Sequence, residues 1–163
     1  MKMPSGQQRI FTTKLTDVDT IKKEQLGVIR WEGNKCYKYV KIQNTTATVA
    51  GVAGDPVAYG AATGYTNNLV VIDLSDADAS FALPAGVLVG SVTGTAGTAY
   101  YGWIQIKGPA TVVTAIAGTP ADGDLLELAA TDKTVQKRTV VDNNIFGYAI
   151  DASAKTVSLD CLF

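Results

Sequence analysis

The sequence contains no histidine. That absence removes the commonest general base and the commonest metal ligand, and with them Ser/His/Asp and Cys/His catalysis within one chain. Cysteine is scarce: Cys36 and Cys161 are the two present, too few for a disulfide framework. Each sits in an apolar, strand-like run, where a buried reduced thiol is expected. No apolar run approaches the ~20 residues of a membrane span, so no membrane partner is expected. The start, Met1 to Arg9, lacks the apolar stretch of a signal peptide, which leads to the expectation of a protein made in the cytoplasm. Charged residues make up 18% of the chain, against an ordinary figure of about 25%. Between Ile42 and Ile106 there is no Lys or Arg.

What is present fits one domain, or one domain with an arm. A chain of 163 residues buries roughly 70% of the surface its unfolded form exposes and needs no metal or disulfide to fold. Charge is unevenly placed. Residues 1–41 carry nine Lys/Arg and four acids, net +5, and the remainder carries five and eleven, net −6. A basic leading segment and an acidic body invite contact with each other, within a subunit or between neighbours. Nucleic acid is a poor partner, because the body repels phosphate and the cations are dispersed.

Along the chain, Pro4, Gly6 and the polar residues around them predict an extended N-terminal arm over residues 1–24, with Ile10, Phe11, Leu15, Val18 and Ile21 as apolar anchors. Thr16 to Glu24 has the capping pattern of a helical turn, with Thr16 as the cap. From Gln25 strand signals recur. Leu26–Trp31 and Cys36–Ile42 flank a glycine-containing hairpin connection. Cys36, Lys38, Val40 and Ile42 share a face that reads as buried, with Lys38 unexplained within it.

The stretch Tyr100–Val113 is the most informative. Tyr101, Trp103, Gln105 and Lys107 fall on one face, Tyr100, Ile104 and Ile106 on the other, and Gly108-Pro109 reads as a stop. Further strands are expected at 45–52, 57–59, 69–72, 86–92, 125–128, 133–141, 145–150 and 157–163. In the last, Val157, Leu159, Cys161 and Phe163 alternate with Ser158 and Asp160. Many short strands at this spacing predict an all-β fold, a compact β-barrel or β-sandwich of antiparallel strands over residues 25–163. Gly54-Asp55 and Gly123-Asp124 both precede an apolar strand, a faint internal echo, and 86–89 and 146–150 read as its returning strands.

Chemistry is sparse. Asp76 and Asp78 open like a calcium loop, but Phe81 stands where glycine is required and Val87 where the bidentate Glu belongs. Asp122 and Asp124 read as turn caps rather than an acid/base pair. No phosphate or dinucleotide motif is present. No catalytic, cofactor-binding or metal residues are expected, and the chain reads as no enzyme. The aromatic set Trp31, Tyr37, Tyr39, Tyr100, Tyr101 and Trp103 reads either as an interface or sugar-stacking platform, or as ordinary packing under a loop or the arm.

Leu26–Arg30, Lys35–Val40, Gly54–Tyr59, Gly86–Gly90 and Tyr101–Ala110, taken in that order, resemble small tailed-bacteriophage head proteins, including capsid decoration (cement) proteins. The resemblance spans residues 25–150 or so. It implies a β-rich subunit on the capsid exterior, with the major capsid protein as partner, often as a homotrimer at threefold positions, with an arm reaching over neighbours. The expected assembly contacts are Arg9, Ile10, Phe11, Lys14, Leu15, Trp31, Tyr37, Tyr39, Tyr101 and Trp103. The alternative is a carbohydrate-binding module on a virion fibre or surface structure.

Overall fold

The computed structural model describes residues 10–60, 66, 68–74, 83–112, 115–139 and 145–161. Arg9, Asp76, Asp78, Phe81 and Phe163 lie outside them. The fold is all-β, and its named elements are twelve strands. They are β1 (Val18–Asp19), β2 (Ile29–Glu32), β3 (Lys35–Ile42), β4 (Pro56–Tyr59), β5 (Leu69–Val71), β6 (Pro84–Leu88), β7 (Tyr100–Thr111), β8 (Ala115–Ala117), β9 (Leu125–Leu128), β10 (Thr134–Lys137), β11 (Gly147–Asp151) and β12 (Thr156–Asp160).

β3, β5, β4, β6 and β7 pair in that order, and β7 pairs back onto β3 to close a five-stranded barrel, barrel 1. Its pairs are antiparallel except β3–β5. Closure removes the exposed strand edges that an open sheet would carry. The order then recurs. β8, β10, β9, β11 and β12 pair in sequence, with the parallel pair again at the first step, and β12 pairs with the C-terminal half of β7. This second set of strands, called barrel 2 below, joins barrel 1 through that β7–β12 pairing. One strand thus ends the first unit and begins the second.

The correspondence holds at the level of single bonds. Gly54 N–H donates to the Leu88 carbonyl at 2.8 Å, and Gly123 N–H to the Ala149 carbonyl at 2.8 Å. Leu88 N–H donates to the Asp55 carbonyl at 2.9 Å, and Ala149 N–H to the Asp124 carbonyl at 2.9 Å. Register agrees too: Val57 faces Gly86 as Leu126 faces Gly147. Inward residues of both circuits, among them Val40, Val57, Val70, Ile104, Leu126, Val135 and Val157, belong to one continuous buried cluster.

Several expectations are corrected. Gly108-Pro109 does not stop β7, which continues to Thr111. The reason lies in ladder parity. Cys161 N–H donates to the Ile106 carbonyl and Val112 N–H to the Lys155 carbonyl, so bonded pairs fall on even-numbered β7 residues. Pro109, opposite Ser158, occupies a non-bonded position where a missing N–H costs nothing. Thr16–Glu24 forms no helical turn. Asp17 Oδ2 accepts the Lys14 N–H at 2.8 Å, closing a turn ahead of β1, which then pairs with Gly102 and Tyr101. Residues 45–52 form no named strand, contributing one bridge from Gly51 to Val92. Lys38 is buried in barrel 1 and donates to the Tyr59 hydroxyl at 3.0 Å with its ammonium 5.1 Å from that ring's centre, and burial pushes its pKa down.

Candidate assembly surfaces

The aromatic residues on the outer face of β3 and β7 are covered, not exposed. Tyr37, Tyr39 and Trp103 are buried, packed against Phe11, Leu15, Leu26, Val28, Val89 and Tyr101. Phe11 and Tyr39 both meet Trp103 edge-on, with centroids at 5.2 and 5.3 Å. The indole N–H donates to Thr13 Oγ1 at 3.0 Å. The Arg30 guanidinium lies 5.2 Å from the Phe11 ring centre and 5.8 Å from that of Trp103, and donates to the Thr13 carbonyl at 3.1 Å. It also pairs with Glu32. Period 2 placed Trp103 and Tyr101 on one face correctly; the cover comes from residues about ninety positions earlier, which no local pattern reveals.

The cover is fastened by Glu24. Its Oε1 accepts from Thr12 N–H at 2.7 Å, Thr12 Oγ1 at 2.9 Å and Thr13 N–H at 3.2 Å. Burial pushes the carboxyl up, but these hydrogen bonds outweigh it and hold it below its ordinary value. The Tyr39 hydroxyl accepts the Lys23 N–H at 3.3 Å, and burial pushes this phenol up.

The expected contact residues therefore divide. Phe11, Leu15, Tyr37, Tyr39 and Trp103 face inward, Tyr101 is half-buried, and Ile10, Lys14 and Trp31 are exposed. Ile10 is 87% and Ile21 73% exposed, on a segment whose Lys14 and Lys22 also face solvent.

A second exposed apolar surface lies on barrel 2. Leu125, Ile145, Tyr148 and Ile150 are each at least 40% exposed, and Trp31 from the β2 hairpin stands beside them over a shallow cleft of about 480 Å³. The half-exposed Lys107 and the more exposed Asp160 form an ion pair at 3.5 Å on its edge. The sequence signal for this surface is on β11, which alternates small and large, with Gly147 and Ala149 inward and Tyr148 and Ile150 outward.

The carboxylates have structural roles. Asp124 Oδ2 accepts the Ala121 N–H at 2.7 Å and pairs with Lys137 at 2.7 Å, which holds it below the usual carboxylate range. Asp122 Oδ1 accepts the Ala152 N–H at 2.9 Å. Among the described residues no group of three His, Cys, Asp or Glu side chains converges to hold a metal. Both cysteines are free and buried, and desolvation pushes both thiols up, away from reactivity. No family model matches the chain, and no curated protein matches it.

Proposed function

We propose that this protein is a non-enzymatic phage capsid decoration protein, a homo-oligomer, with a trimer as the expected form, that binds the outer surface of the head and bridges subunits of the major capsid protein. The observation that carries this reading is the pair Ile10 and Ile21, two large aliphatic side chains held in water on a segment that is itself clamped to barrel 1. On this segment Phe11 and Leu15 pack onto barrel 1 while Ile10 and Ile21 face out. Contacts of this size are individually weak, and many copies on one shell make them sufficient.

The test is co-sedimentation with mature phage heads. Wild-type protein is expected to pellet with heads, and the double variant Ile10→Glu/Ile21→Glu to stay in the supernatant while keeping its β spectrum. Deleting residues 1–24 is a poorer test, because it would expose Trp103 and Tyr39 along with removing the contact. Wild-type protein that fails to pellet at any saturating concentration ends this reading. The carbohydrate-binding alternative loses Trp103 to burial and keeps Trp31 with Tyr148, over a cleft that Leu125 and Ile145 share with Asn34, Lys107 and Asp160.

A further inference from the structure

The cleft between the β2–β3 hairpin and barrel 2 is built by the strand ladder. Leu125 pairs with Tyr148, Tyr148 with Ser158 and Ser158 with Pro109, so these four residues stand in one row across β9, β11, β12 and β7. Two residues further along β12 and β7, Asp160 faces Lys107, the ion pair at 3.5 Å. Trp31 and Asn34 of the hairpin line the same cleft. The hairpin can approach because Gly108 lacks a side chain, where a Cβ would collide with the Asn34 carbonyl oxygen.

The lining has two chemical halves. Trp31 and Tyr148 offer aromatic rings, 57% and 46% exposed, and Asp160, Lys107, Asn34 and Ser158 offer hydrogen-bonding groups beside them. Three kinds of occupant fit this lining poorly. A strand added to β7 here would find no N–H at Pro109, and the carbonyls of Lys107, Gly108 and Pro109 already accept from Gln105 Nε2 at 3.2, 3.3 and 2.9 Å. A wholly apolar ligand would take the carboxylate, the ammonium and the amide out of water with nothing in return. An anion would compete with Asp160 for the Lys107 ammonium.

We propose that this cleft binds a neutral oligosaccharide, with the C–H face of a pyranose ring against Trp31 and Tyr148 and its hydroxyls on Asp160, Lys107, Asn34 and Ser158. A sugar hydroxyl both donates and accepts, so it can serve a carboxylate, an ammonium and an amide in one site. The ring's apolar face meanwhile covers aromatic surface that now stands in water. A volume of about 480 Å³ lies within the range of small-ligand clefts. This is an activity beside head binding and does not rest on it, since neither Ile10 nor Ile21 lines the cleft.

The experiment is nitrogen-15 NMR of the whole chain, following the two tryptophan indole N–H signals. The probes are lactose, cellobiose, maltose, chitobiose and sialyllactose at about 10 mM, where a millimolar dissociation constant leaves the site mostly filled. At least one neutral sugar is expected to move the Trp31 signal and leave that of the buried Trp103 in place. Trp31→Ala and Asp160→Ala, both at exposed positions, should each weaken that binding at least tenfold, read for Trp31→Ala from backbone signals of β11 and β12. A Trp31 signal that no sugar moves overturns the proposal, as does binding that both variants leave intact. Movement by sialyllactose alone overturns the neutral class. Co-sedimentation with heads should be unchanged in Asp160→Ala, so the failure of one activity is read apart from the failure of the other.

Discussion

Asp55 and Asp124 perform the same task in the two barrels. Asp55 Oδ2 accepts the Val52 N–H at 2.9 Å, and Asp124 Oδ2 accepts the Ala121 N–H at 2.7 Å, each three residues back across a turn. In each turn the aspartate N–H returns a bond to the same residue's carbonyl, at 3.0 and 3.1 Å. Their surroundings differ, because Asp55 is fully buried and Asp124 reaches solvent. Asp55→Ala is expected to cost about 2 kcal/mol, as for loss of a charged, buried hydrogen bond. Asp124→Ala should cost clearly less. Urea midpoints with an unchanged slope would measure both, and equal shifts would contradict the difference in burial.

The clamp on Trp103 makes a second prediction. Thr13→Val keeps the side chain's shape but removes the acceptor for a buried indole N–H. The expected cost is about 1–3 kcal/mol, the penalty for a buried donor left without a partner. Trp103→Ala removes the centre of the cluster and should cost about 3–5 kcal/mol. If Thr13→Val proves neutral in urea denaturation, the hydroxyl is not what holds residues 11–15 in place.

Glu24 makes the same clamp sensitive to acid. Its carboxyl titrates below its ordinary 4.5 in the folded protein, so its contribution is complete above that value and is lost as pH falls through the lower, folded pKa. Residues 11–15 should therefore loosen only as pH falls below that ordinary value and through the lower, folded one, while the barrels persist. A change in Trp103 emission ahead of the loss of β circular dichroism is the expected sign. Glu24→Gln should remove most of that early step.

How much of this was legible in the sequence depends on the range of the interaction. Period 2 gave the faces of β3, β7 and β12 correctly, because alternation is a property of each strand alone. It also gave an all-β chain of many short strands. The burial of Tyr37 and Tyr39 was not legible, since their cover is built from Phe11, Leu15, Leu26 and Val28 and depends on how the chain returns. Pro109 misled because proline's effect depends on ladder parity, set by the partner β12 rather than by local sequence. The Gly-Asp echo was faint as text and strong as structure: the two units share turn bonds and register, while inward residues such as Ile104 and Val157 need match only in being apolar. The exposed face of barrel 2 was overlooked because large outward residues on β11 resemble core residues unless the small inward ones are read with them.

Gly86 and Gly147 carry the last prediction. A Cβ on Gly86 would collide with the Gln105 carbonyl oxygen, and one on Gly147 with the Ser158 carbonyl oxygen, at corresponding crossings of adjacent strands. Both obstacles are backbone, which a rotamer change cannot relieve. Gly86 also has φ of 144°, a region that side chains disfavour. Gly147→Ala should therefore cost about 3 kcal/mol, at the upper end for overpacking, and Gly86→Ala more. Gly97→Ala is the control, because there a methyl meets nothing within 4 Å and only its φ of 72° resists, at about 1–2 kcal/mol. The buried cluster runs without a break from Ile104 in barrel 1 to Val157 in barrel 2, so both barrels should unfold in one transition. Gly147→Ala, although in barrel 2, should lower the midpoint reported by Trp103 in barrel 1 as much as the midpoint reported by circular dichroism. Two separated transitions would show instead that β7 joins two barrels that hold themselves together independently.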